Sequence, residues 1–171
     1  VYQYSINQTT GALTALATLT IAAGVGPIEI IIHPSGLYAY VSNNGGGSIS
    51  QFSIDGTSGQ LTAIGTVIVG VGLNGLAISG NGLFIYYGIT GANILGQSTI
   101  TQATGLITGP TTSVGVNGAR DCCFDYSGSF IYVYASASTN IQAYSINPTT
   151  GAMTSLGNSA TGINSTGMAA A

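Results

Sequence analysis

The chain has 171 residues, enough for one domain, and only 3% of them are charged, against about 25% in an ordinary soluble domain. With no lysine, Arg120 as the only arginine and a net charge of −3, it cannot displace the counterions of a nucleic-acid backbone, so nucleic acid is excluded as a partner. A mean hydropathy of +0.47, with many β-branched residues, argues against disorder.

The chain opens at Val1 without an initiator methionine, which reads as a mature piece or a fragment. The most apolar window, residues 12–32, is long enough for a spanning helix, but Gly24, Gly26, Pro27 and Glu29 interrupt it, so two strands and a turn are expected and no membrane span. One segment then recurs four times, marked by Gly11, Gly59, Gly105 and Gly151 at spacings of 48, 46 and 46 residues. A second recurs in the same register, marked by Gly36, Gly82 and Gly128, again 46 apart. Within a period, residues alternate as in strands, and four are predicted in the first full period: 28–32, 37–42, 48–54 and 61–67. Thr-Thr-Gly and Thr-Ser-Gly read as hairpin turns, with Asn7, Asp55 and Asn147 placed to bond the turn backbone.

Four antiparallel strands per 40 to 50 residues is the pattern of a β-propeller blade. The run from His33 through Pro34, Ser35, Gly36, Leu37, Tyr38, Ala39, Tyr40, Val41, Ser42 and Asn43, followed by Phe52-Ser53-Ile54-Asp55 and Gly59-Gln60-Leu61-Thr62, resembles the YVTN-type repeat of seven-bladed surface-protein and lactonase-like propellers. The fold class is therefore all-β: four-stranded antiparallel blades with a period of about 46 residues in an incomplete ring of about 3.75 blades. The single domain, 1–171, divides into a partial blade at 1–25, blades at about 26–71, 72–117 and 118–163, and a partial blade at 164–171. Seven blades would need roughly 320 residues. The chain is then a fragment, a small propeller or a half-ring completed by another chain, and exposed blade faces and unpaired edges invite self-association.

The few ionisable groups can all be placed. Glu29 and Asp121 are two periods apart, in equivalent slots on innermost strands, with Arg120 beside Asp121; His33 and Asp125 share the following turn. In propellers such strands line the central channel. For an enzyme, the resemblance implies a lactone hydrolase or cycloisomerase: Glu29 or Asp121 as general base, Arg120 holding a substrate carboxylate and His33 shuttling protons. Strand geometry puts His33 about 13 Å from Glu29 and points Arg120 and Asp121 to opposite sides. The competing reading makes His33, Asp55 and Asp125 turn acceptors, and Cys122 and Cys123 packing residues. No Gly-x-Ser-x-Gly elbow, phosphate-cradling loop or metal or cofactor signature is present; Gly45-Gly46-Gly47 reads as a hairpin.

From sequence, the first reading is an exported or cell-surface structural or binding propeller, self-associating or completed by other chains, with a small molecule or glycan as possible ligand. The alternative is a lactonase-like enzyme acting on a non-phosphorylated lactone, since one arginine suits a phosphorylated sugar poorly. Lack of lysine and abundance of Thr, Ser, Asn and Gly fit an extracellular location; Asn7-Gln8-Thr9 and Asn164-Ser165-Thr166 match glycosylation acceptors, a motif short enough to arise often by chance in Thr-rich sequence.

Overall fold

A computed structural model describes residues 1–160. The expected partial blade at 164–171, the last residues of the preceding blade and the Asn164 motif lie outside them. β1 (Tyr2–Ile6) and β2 (Leu13–Thr20) form a half-blade. The first full blade is β3 (Pro27–Ile32), β4 (Tyr38–Asn43), β5 (Ser48–Ile54) and β6 (Leu61–Ile68). The second is β7 (Leu73–Ile78), β8 (Phe84–Ile89), β9 (Ile94–Thr99) and β10 (Thr112–Gly115), and the third is β11 (Ala119–Phe124), β12 (Phe130–Ala135), β13 (Asn140–Ile146) and β14 (Met153–Ala160). Each full blade is a four-stranded antiparallel meander in chain order. In the first, the predicted strands match within one residue.

The turn chemistry acts as expected. Asn7 Oδ1 accepts the amides of Thr9 and Thr10, both at 2.9 Å, and Asp55 and Asn147 do the same in their hairpins. The glycine that closes each hairpin has φ of 70° to 73°, where a side chain would be strained. In the second blade Thr101 takes the Asn or Asp position and Pro110 cannot donate to a ladder, so the outer strand is reduced to one bridge, Ile100 to Ile107, before β10 starts at Thr112.

Blades pack face to face through apolar side chains. Tyr40, Ile49, Leu73, Leu76, Ile85 and Tyr87 are buried between the first and second, and Phe84, Tyr86, Leu95, Cys122, Ile131 and Val133 between the second and third. Polar latches cross these junctions, and the one between the half-blade and the first blade, at the same period. The hydroxyl of Tyr40 donates to the Gly105 carbonyl and that of Tyr86 to the Gly151 carbonyl, both at 2.8 Å. The Leu61 amide donates to Gln3 Oε1 and the Ile107 amide to Gln51 Oε1, both at 2.6 Å.

The ring is not closed: the described residues form three and a half blades. Tyr4 and Ile6 of the half-blade are exposed, whereas their counterparts one blade on or more, Phe52 and Ile100, are buried. β3, β7 and β11 lie side by side on the inner edge of the arc.

Candidate functional site in the inner-strand cavity

All three inner strands carry the same irregularity. Pairing with the second strand slips between Pro27 and Glu29, between Leu73 and Leu76, and between Ala119 and Asp121, leaving one extra residue on the inner strand each time. The slips fall at one place in the period, where Ile28, Asn74 and Arg120 are equivalent. A β-bulge breaks the simple in-out alternation and re-aims the side chains around it. Strict alternation would turn Arg120 and Asp121 to opposite sides, but with the bulge between them and the second strand both residues border one cavity, of about 270 Å³, together with Ile28, Glu29, Asn74 and Gly75.

Glycine in the middle slot makes the arrangement possible. Gly75 stands between Glu29 and Asp121 in the repeat, and a Cβ there would collide with the Asp121 carboxylate, lie 2.7 Å from the Asp121 Cα and lie 3.1 Å from the Arg120 carbonyl oxygen. The missing side chain gives the Asp121 carboxylate its space. Asp121 Oδ1 accepts the Cys122 amide at 2.9 Å. On the other side, Glu29 Oε2 accepts the Leu76 amide at 2.6 Å, tying the inner strand of the first blade to that of the second.

The two carboxylates differ in setting. Burial pushes the Glu29 carboxyl up to about 7, the Leu76 amide partly offsets this, and the charge of Asp121 adds to it. Glu29 therefore exchanges a proton near neutrality, as a general base or acid must. Arg120 is exposed at the cavity. Among the described residues no cluster of three or more His, Cys, Asp or Glu side chains has the arrangement to hold a metal ion.

His33 does not line this cavity. It is 3% exposed, in the turn after β3, and its Nδ1 accepts the Ser35 amide at 3.1 Å. Nε2 must then carry the proton, which it donates to the Gly82 carbonyl at 3.0 Å in the next blade. The imidazole is an inter-blade latch in this arrangement. Asp125, in the same turn one blade pair on, accepts bonds from Ser127, Ser129 and Phe130, and hydrogen bonding holds its carboxyl below the usual range. Cys122 is buried and burial pushes its thiol up, so it packs and is not activated; Cys123 is shifted the same way. Sequence reasoning found the three charged residues of the cavity but missed Gly75 and the bulges. The absence of a side chain in the slot midway between Glu29 and Asp121 was the available signal for Gly75.

Comparison with known proteins agrees with this architecture. A family model described as "Lactonase, 7-bladed beta-propeller" matches residues 1–168. No curated protein sequence matches the chain. Among solved structures, a Lactobacillus plantarum protein superposes with a TM-score of 0.80 at 23% identity over 92% of this chain and 48% of its own. A putative 6-phosphogluconolactonase from Bacteroides uniformis gives 0.80 at 19% over 90% and 46%. The periplasmic gluconolactonase of Pseudomonas aeruginosa gives 0.75 at 20% over 88% and 45%. The chain thus spans about half the length of these structures, and at these identities the likeness is one of fold.

Proposed function

The chain belongs to the lactonase family of seven-bladed β-propellers, and we propose that it binds and hydrolyses a non-phosphorylated lactone in the inner-strand cavity. The observation that carries the reading is the repeated bulge, which collects Glu29, Arg120 and Asp121 around one cavity. The Glu29 carboxylate takes a proton from water as the water oxygen attacks the lactone carbonyl carbon. Arg120 faces the oxyanion that forms, and Asp121 orients the water. Collapse of the tetrahedral intermediate breaks the ring acyl–oxygen bond, and the proton held by Glu29 passes to the leaving alkoxide, giving the open hydroxy acid. A single arginine and no lysine favour a neutral sugar lactone over a phosphorylated one.

An exported location fits the charge-poor composition and the periplasmic character of one structural neighbour. Completion of the ring by another chain, a second copy included, would cover Tyr2, Tyr4, Ile6 and Leu13 on the half-blade. The test of function is hydrolysis of δ-gluconolactone followed by pH-stat. We expect saturable activity that rises with pH through a midpoint of about 7 and falls roughly 100-fold or more in Glu29→Gln. Equal rates for the two proteins, or none above buffer, would remove the proposal.

A further inference from the structure

The 46-residue period allows the first and second inter-blade junctions to be compared residue by residue. At the first, the His33 ring fills the cleft: Nε2 donates to the Gly82 carbonyl, Gln102 Nε2 donates to the same oxygen at 2.7 Å, and the ring stands edge-on to Tyr38 at 5.8 Å and 79°. One period on, Ser79 replaces His33, Phe84 replaces Tyr38, Gly128 replaces Gly82 and Pro148 replaces Gln102. The aromatic wall is kept. A Cβ on Gly105 would collide with the Tyr38 ring, and one on Gly151 would meet the Phe84 ring at 2.7 Å.

The occupant is not kept. Ser79 Oγ turns back to Asn81 Oδ1 at 2.7 Å and to the Phe84 amide at 3.0 Å, Asn81 Nδ2 donates across the junction to the Pro148 carbonyl at 2.9 Å, and a cavity of about 240 Å³ remains beside it, bordered by Ser79, Asn81, Phe84, Gly128, Ile146 and Pro148. A Cβ on Gly82 would strike His33 Nε2, whereas on Gly128 its nearest neighbour would be the Gly80 nitrogen at 3.8 Å. Among the described residues no donor bonds the Gly128 carbonyl, and proline at 148 has neither a side-chain nor a backbone N–H to offer. A void of about 150 Å³ accepts benzene, so there is room for a five-membered ring.

We propose that this cleft is a binding site for a small neutral azole, whose ring lies against Phe84 and whose N–H donates to the Gly128 carbonyl, as the His33 side chain does one junction earlier. The site is separate from the inner-strand cavity. Imidazole is the probe, at pH 8 where it is neutral, read by thermal melting and by the amide resonances of residues 127–130. Wild type should show a saturable rise in Tm of roughly 3–5 °C at ten times the dissociation constant. Ser79→His, which supplies the ring covalently, should melt higher without ligand and lose the response. Thiazole, the same shape without the N–H, should give less than a third of the shift. His33→Ala should bind a second equivalent; if that variant fails to fold, Ser79→His and thiazole decide. No saturable shift in wild type, an undiminished response in Ser79→His, or an equal response to thiazole would each overturn the proposal.

Discussion

Replacing Glu29 by glutamine tests the electrostatics of the cavity without altering its shape. The amide oxygen can still accept the Leu76 N–H, so the variant imitates the protonated side chain. In the folded protein burial raises the carboxyl from an ordinary 4.5 to about 7, so the folded state holds the proton more tightly than the unfolded state. That contribution is fully present below about pH 4.5 and is lost as the pH rises through about 7. A shift of this size corresponds to at most about 3 kcal/mol. The side chain is only half-buried, so solvent screening leaves about 1–2 kcal/mol. Urea unfolding of both proteins from pH 3.5 to 8.5 should give equal stabilities at the acid end, below the ordinary value of 4.5. At pH 8 the variant should be more stable by about 1–2 kcal/mol, or roughly 2–8 °C in Tm. Groups common to both proteins cancel in the difference. Parallel curves, or a wild type that gains on the variant with rising pH, would refute the reasoning.

Gly75→Ala puts a methyl group against the Asp121 backbone, which cannot give way cheaply. It should cost about 1–3 kcal/mol by urea unfolding and reduce lactone hydrolysis further than that instability explains. Tyr86→Phe removes the donor to the buried Gly151 carbonyl and should cost about 1–2 kcal/mol while leaving kcat/KM within a factor of two. Iodoacetamide should label Cys123 in the folded protein well before Cys122, which is 3% exposed; mass spectrometry of the peptides reads this.

The fold was legible because the glycines at 11, 59, 105 and 151 and those at 36, 82 and 128 kept one period, and alternation between them placed the strands. Pro110 was as visible as these glycines, yet its shortening of β10 depends on how that strand pairs with β9. The candidate site was legible in part. Two-period spacing brought Glu29 and Asp121 to equivalent slots, but strict alternation separated Asp121 from Arg120, because a bulge shows only in the pairing with a neighbouring strand. The partners of His33, Tyr40 and Tyr86 lie 49 and 65 residues away, beyond anything local pattern reveals. Function was ordered differently by sequence and by comparison. Scarcity of charge put a structural surface role first, whereas the family match favours the lactonase-like alternative.

Glu29 is the chain's only glutamate, so selective carbon-13 labelling of glutamate yields a single side-chain carboxyl resonance. Its titration should have a midpoint of about 7, move down in Asp121→Asn, and shift when gluconate, the hydrolysis product, is added. A midpoint near 4.5, unchanged in the variant and indifferent to gluconate, would contradict a desolvated base facing a ligand in the inner-strand cavity.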